Sequence, residues 1–182
     1  MKTYISMLRG INVGNQNKIP VVELKRLFQA LNFASVETYI QSGNLVFDSD
    51  NQDAAYVTNL IESQIEQAYG TKIAVFVRDA ADFRRILSTN PFLAGRSESP
   101  SFLHVTFLYS IPRQSQWEQV KIPGGSSGDE FFSGVQEVFL FCPTGYGRTK
   151  LNNSFFERKL GMPATTRNWN TVQALYKMAA ER

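Results

Sequence analysis

Leu24, Leu27, Phe28 and Leu31 recur at i, i+3, i+4 and i+7, the spacing of a helix with one buried face. Pro20 just ahead suits a first helical turn, so a helix is predicted over residues 20–31. Strand-like runs flank it at residues 3–9, 36–41 and 44–47, the last two joined by the turn pair Ser42-Gly43. Val57, Leu60, Ile61, Ile65 and Ala68 then form a second helical stripe, started by Asp53 as a cap and stopped by Gly70. Residues 72–78 alternate Ile73, Val75 and Val77 against Ala74 and Phe76, which predicts a strand. The first half therefore reads βαββαβ, a ferredoxin-like order.

The second half is less regular. It predicts a helix over 80–87, a Ser/Pro/Gly-rich loop to Pro100, a strand over 102–109 and a short helix framed by Pro112 and Trp117. The Gly124 to Gly128 run then reads as a flexible connection, ahead of a hairpin over 131–141. Two closing helices follow. Asn152 or Ser154 can cap the first, Ser154 and Glu157 have capping-box spacing, and Gly161 with Pro163 stops it. The last begins at 166–168 with Trp169, Val172, Leu175, Tyr176 and Ala179 as its apolar stripe. The expected fold class is α+β. It has two ferredoxin-like α/β subdomains, residues 1–79 and 80–182, the second irregular or permuted and closed by two C-terminal helices.

Composition narrows the function classes. With 182 residues, 43% hydrophobic and 19% charged, the chain is long and apolar enough to fold. One cysteine, Cys142, rules out an internal disulfide and a multi-Cys zinc site. No cofactor or metal is expected. The apolar run at the start is broken by Arg9, and nothing approaches the ~18 apolar residues of a membrane span, so a cytoplasmic protein with no membrane partner is expected.

Positive charge is local. In residues 146–170, Arg148, Lys150, Arg158, Lys159 and Arg167 are opposed only by Glu157, a larger surplus than the +3 of the whole chain. Arg148, Lys150 and Arg167 flank two predicted helix starts, with Asn168 and other amides nearby; orphan N–H groups plus guanidinium forks suit phosphate or carboxylate. The loop over residues 9–20 could cradle an anion, although it fits neither the Walker nor the dinucleotide pattern. His104 and Cys142, each the sole residue of its kind, could in principle form a base and nucleophile; as lone strand residues they read first as core.

Three segments, LRGINVGNQNKIP, YIQSGNLVF and YGRTKLNNSFFERKLGMPATTRNWNTV, together resemble the signature blocks of a bacterial family catalogued as domain of unknown function sixteen-ninety-seven. The resemblance implies a two-part α+β fold and supplies no activity. It is matched at polar positions, and from this we expect Arg9, Asn12, Lys18, Gln41, Asn44, Arg148, Lys150, Arg167 and Asn168 to converge on one basic polar cleft. The expected partner is an anionic ligand: a nucleotide, a phosphorylated metabolite or a nucleic-acid backbone. Two alternatives stand beside it: a small-molecule enzyme using the same cleft, with Tyr146 or His104 as acid or base, and a protein-interaction module. Neither a catalytic residue nor an oligomeric state is assigned by the sequence.

Overall fold

A computed structural model describes residues 1–13, 17–124 and 128–182. Gly14, Asn15 and Gln16 of the candidate cradle, and Gly125, Ser126 and Ser127 of the connection, lie outside the described residues. The chain divides into two units, Met1–Arg85 with Ala174–Arg182, and Ile86–Gln173.

Unit 1 is built in the order β1 (Lys2–Leu8), α1 (Val21–Ala30), β2 (Ala34–Tyr39), β3 (Asn44–Ser49), α2 (Ala54–Tyr69) and β4 (Val75–Asp79), followed by the start of α3 (Ala80–Ser88). Its strands form an antiparallel sheet in the order β2-β3-β1-β4. Alternation along the strands sends Tyr4, Leu8, Leu45, Phe47, Val75 and Val77 to one face. There they pack with Leu24, Leu27 and Phe28 of α1 and Val57, Ile61 and Ile65 of α2. Phe47 is fully buried, with ring centroids of Phe33, Phe28 and Tyr4 at 4.5, 5.2 and 6.0 Å. Each such side chain contributes about 1.5–3 kcal/mol by leaving water. Asp53 caps α2 by accepting from the Ala55 amide, and Gly70 ends it in the left-handed conformation. Arg182 is tied to this unit through Glu37 at 2.7 Å, Asp48 at 3.6 Å and the Val46 carbonyl.

Unit 2 runs β5 (Leu103–Leu108), α4 (Gln114–Trp117), β6 (Glu130–Ser133), β7 (Glu137–Phe141), α5 (Asn153–Leu160) and β8 (Ala164–Asn168), then the first residues of α6 (Trp169–Ala180). Its antiparallel sheet has the order β6-β7-β5-β8, position for position that of the first unit. In strand order the second half is thus not permuted. Its fourth strand, Ala164–Asn168, occupies residues that the sequence assigns partly to the closing helix, and α6 begins only at Trp169. Leu108, Val138, Leu140 and Cys142 pack with Leu151, Phe155, Phe156 and Leu160 in the core of this unit. On its other side the loop after α3 is fastened by Arg96. Its guanidinium meets Glu98 at 2.7 Å and Glu130 at 2.9 Å and lies over the Phe92 and Phe141 rings at 5.1 and 5.2 Å.

Candidate functional site

The candidate residues fall into two groups, one in each unit. In unit 1, Arg9 directly follows β1, Asn12 and Lys18 lie in the loop after it, and Gln41 and Asn44 flank the turn between β2 and β3. The Leu8 amide donates to the Gly43 carbonyl at 2.8 Å, which brings the turn after β2 against β1. Gly43 has φ +73°, and a Cβ there would lie 2.6 Å from Ile11 Cδ1, so a side chain at this position would be strained in its backbone and would push Ile11 aside. Asn12 sits at φ 55°; its Nδ2 donates to the carbonyls of Ile19 and Gln41, both at 2.9 Å, while its Oδ1 accepts from the Ile19 amide at 3.0 Å. This amide ties Asn12 to Ile19 and to the neighbouring turn at Gln41. Asn44 is buried and donates to Ser42 Oγ at 2.8 Å and the Tyr39 carbonyl at 3.3 Å. Lys18 and Gln41 are exposed and Arg9 is half-buried.

In unit 2, a single 3-10 turn, Tyr146–Arg148, follows β7 and leads to α5. Arg148 and Lys150 are exposed, and Lys150 Nζ donates to the Gly124 carbonyl at 2.5 Å. Asn152 caps α5 by accepting from the Phe155 amide at 3.0 Å, so the capping-box pair Ser154 and Glu157 is not what starts the helix; Glu157 instead accepts from the Ala164 amide. Asn168 is exposed, and its Oδ1 accepts from the Thr171 amide at 2.8 Å at the start of α6. Arg167 pairs across from Val105, on the opposite sheet face from Thr166. It is buried, donates to Thr165 Oγ1 at 2.8 Å and the Thr166 carbonyl at 2.9 Å, and burial pushes its guanidinium down to about 10, with Tyr146 acting the other way.

Sequence reasoning missed a hydroxyl chain beneath α5. Thr166 donates to Asn153 Oδ1 at 2.6 Å, so Thr106, 2.8 Å from Thr166 Oγ1, supplies the proton in that pair; Tyr146 donates to the same Asn153 oxygen at 3.4 Å. His104 stacks on Tyr146 with ring centroids 4.9 Å apart. Burial lowers the His104 pKa from its ordinary value and raises that of Tyr146, so both are neutral at pH 7. The available signal was alternation: His104 and Thr106 are two apart on one strand, on the face that the hairpin partner fills with Leu140 and Val138. Cys142 is fully buried and its thiol is pushed up to about 11, chiefly by desolvation. At pH 7 only roughly one thiol in ten thousand is then a thiolate, too few for the nucleophile considered above. A second buried pair, Thr149 donating to Asp129 at 2.6 Å, fixes the turn before α5, where the Leu151 amide also bonds to Thr149.

Among the described residues no three His, Cys, Asp or Glu side chains gather as a metal would require, and no helix is long and apolar enough to cross a membrane. A comparison with curated proteins finds no match. Among solved structures, the conserved bacterial protein SP0830 from Streptococcus pneumoniae is similar in fold, with 23% identity, a TM-score of 0.73 and 99% of each chain covered. A family model matches residues 1–139, so the block at 146–172 lies beyond the matched region. With most of its length matched, the chain belongs to the family described as protein of unknown function DUF1697.

Proposed function

We propose that this protein binds an anionic ligand, a nucleotide, a phosphorylated metabolite or a nucleic-acid backbone, and that unit 2 receives it beside the start of α5. One observation carries the reading. Arg148, Lys150, Arg158 and Lys159 are all exposed on or just ahead of α5, and among the described residues none of them is in an ion pair; Lys18, Lys25, Arg113 and Lys121 are likewise outside any ion pair but do not cluster in the sequence, whereas Lys2, Arg26, Lys72, Arg85, Arg96, Lys177 and Arg182 each meet a carboxylate. The nearby acid, Glu157, directs one carboxylate oxygen to the Ala164 amide. First-turn amides of a helix add donors and a partial positive charge on the side of Arg148 and Lys150, while Arg158 and Lys159 stand on the last turn of α5. Arg9 and Lys18 supply a second basic group on unit 1. The shared strand order of the two sheets supports reading both units as ferredoxin-like.

Fluorescence anisotropy with a labelled single-stranded oligonucleotide, and equilibrium dialysis with ATP, test the proposal. Changing both Arg148 and Lys150 to Ala weakens whichever probe binds by tenfold or more. For the oligonucleotide, log affinity falls with log salt by about 0.7 per neutralised phosphate. Equal binding by the double variant would reject the assignment. A second reading, an enzyme acting on a phosphorylated or carboxylated small molecule, is favoured by the His104 and Tyr146 stack, which places two titratable rings together in a desolvated setting. Tyr146→Phe then abolishes turnover of any substrate found by metabolite-library NMR while leaving binding in place.

A further inference from the structure

We propose that a hollow beside α4 in unit 2 is a second, separate binding site, for a small organic monocarboxylate. The first helix of unit 1, α1, has ten residues, while α4, in the corresponding place in unit 2, has four. The hollow beside α4 has a volume of about 500 Å³ and is lined by Ser110, Ile111, Arg113, Ser115, Gln116, Gly161 and Met162, within the size range of small-molecule sites.

The walls are held in place before anything binds. Gln116 accepts from the Arg113 amide at 2.7 Å through Oε1 and donates through Nε2 to the Leu160 carbonyl at the end of α5. Both ends of that amide are occupied, so it acts as a strut joining α4 to α5. Across the hollow, Ser110 Oγ donates to Met162 Sδ at 3.4 Å and the Tyr109 amide donates to the Pro163 carbonyl at 3.1 Å.

The lining then selects the ligand. Arg113 is its single charged residue, is exposed, and among the described residues forms no ion pair. One guanidinium presents one planar fork, which matches a carboxylate in two parallel hydrogen bonds. Ser115 adds a hydroxyl donor. Ile111 and Met162 complete the lining and carry methyl groups that report on occupancy. No acid lines the hollow to repel the head group.

Methyl and amide NMR of the full chain, titrated separately with butyrate, with its neutral analogue butyramide and with inorganic phosphate, tests the proposal. Butyrate should give saturable shifts at the Ile111 and Met162 methyl groups, at least tenfold tighter than butyramide or phosphate. Arg113→Gln, at an exposed position, should keep the melting temperature and lose that response, while the Arg148 and Lys150 double variant keeps it. The retained response separates this site from the one at α5. Absence of saturable shifts, an equal response to butyramide, or persistence of the shifts in Arg113→Gln would each overturn the assignment.

Discussion

The two units share one strand order and differ in what they place under their helices. Unit 1 covers its sheet with helices of ten and sixteen residues and lays an apolar face beneath them, interrupted by Ser6. Unit 2 has helices of four and eight residues and carries His104, Thr106 and Thr166 among its sheet apolars. Backbone strain is divided the other way. Every non-glycine residue with positive φ among the described residues, Asn12, Asn17, Asn32, Ser35 and Ile40, lies in unit 1, whereas unit 2 uses only glycines there. A topology can thus be repeated without repeating its stabilisation: one copy relies on aromatic packing and pinned turns, the other on buried hydrogen bonds.

That contrast can be broken most directly at Phe47. Phe47→Ala removes a ring enclosed by three others and should cost about 3–5 kcal/mol in urea unfolding; a loss below about 1 kcal/mol would mean that unit 1 does not depend on its aromatic cluster. In unit 2 the corresponding test is Thr166→Val, which keeps the shape and strips the hydroxyl shared by Thr106 and Asn153. It should cost about 1–3 kcal/mol by leaving buried polar groups unmet, and a neutral result would show the chain of hydroxyls to be dispensable.

The contrast also has a pH signature. Burial depresses the His104 pKa, so the unfolded chain takes up a proton near its ordinary value of about 6.5 before the folded one does. Stability from this residue is complete above that value and is lost as pH falls through it towards the folded pKa. Urea midpoints recorded from pH 7.5 to 5.5 should decline, and His104→Gln should flatten that part of the curve. The smallest effect is expected at Ile40, a β-branched residue at φ 51° with 54% of its surface exposed. Ile40→Gly should raise stability by about 0.5 kcal/mol, since relief of the left-handed strain outweighs the entropy of glycine. A lower melting temperature would show that this side chain is held by packing instead.

Local signals carried much of the fold. The stripe of α1, the Asp53 cap, the Gly70 stop and the Gly161 stop all act within a few residues of themselves, and each appears where the spacing puts it. β8 escaped because Ala164–Asn168 has no apolar alternation of its own; it is an edge strand whose ladder comes wholly from β5, some 60 positions earlier. The candidate site was legible as charge and not as geometry. Asn12, Asn44 and Asn168 stand out as amides in the sequence, yet their side chains tie a loop, a turn and a helix start, and an amide that braces backbone is the same residue type as one that faces a ligand. Thr106, Thr166 and Asn153 meet only after strand pairing, so no local pattern could join them.

The chain contains a single sulfhydryl, and that sulfhydryl lies sealed inside unit 2 at Cys142. Thiol-selective reagents will therefore find nothing to modify until this half of the molecule opens. The rate of labelling becomes a clock for that opening, read without adding a probe.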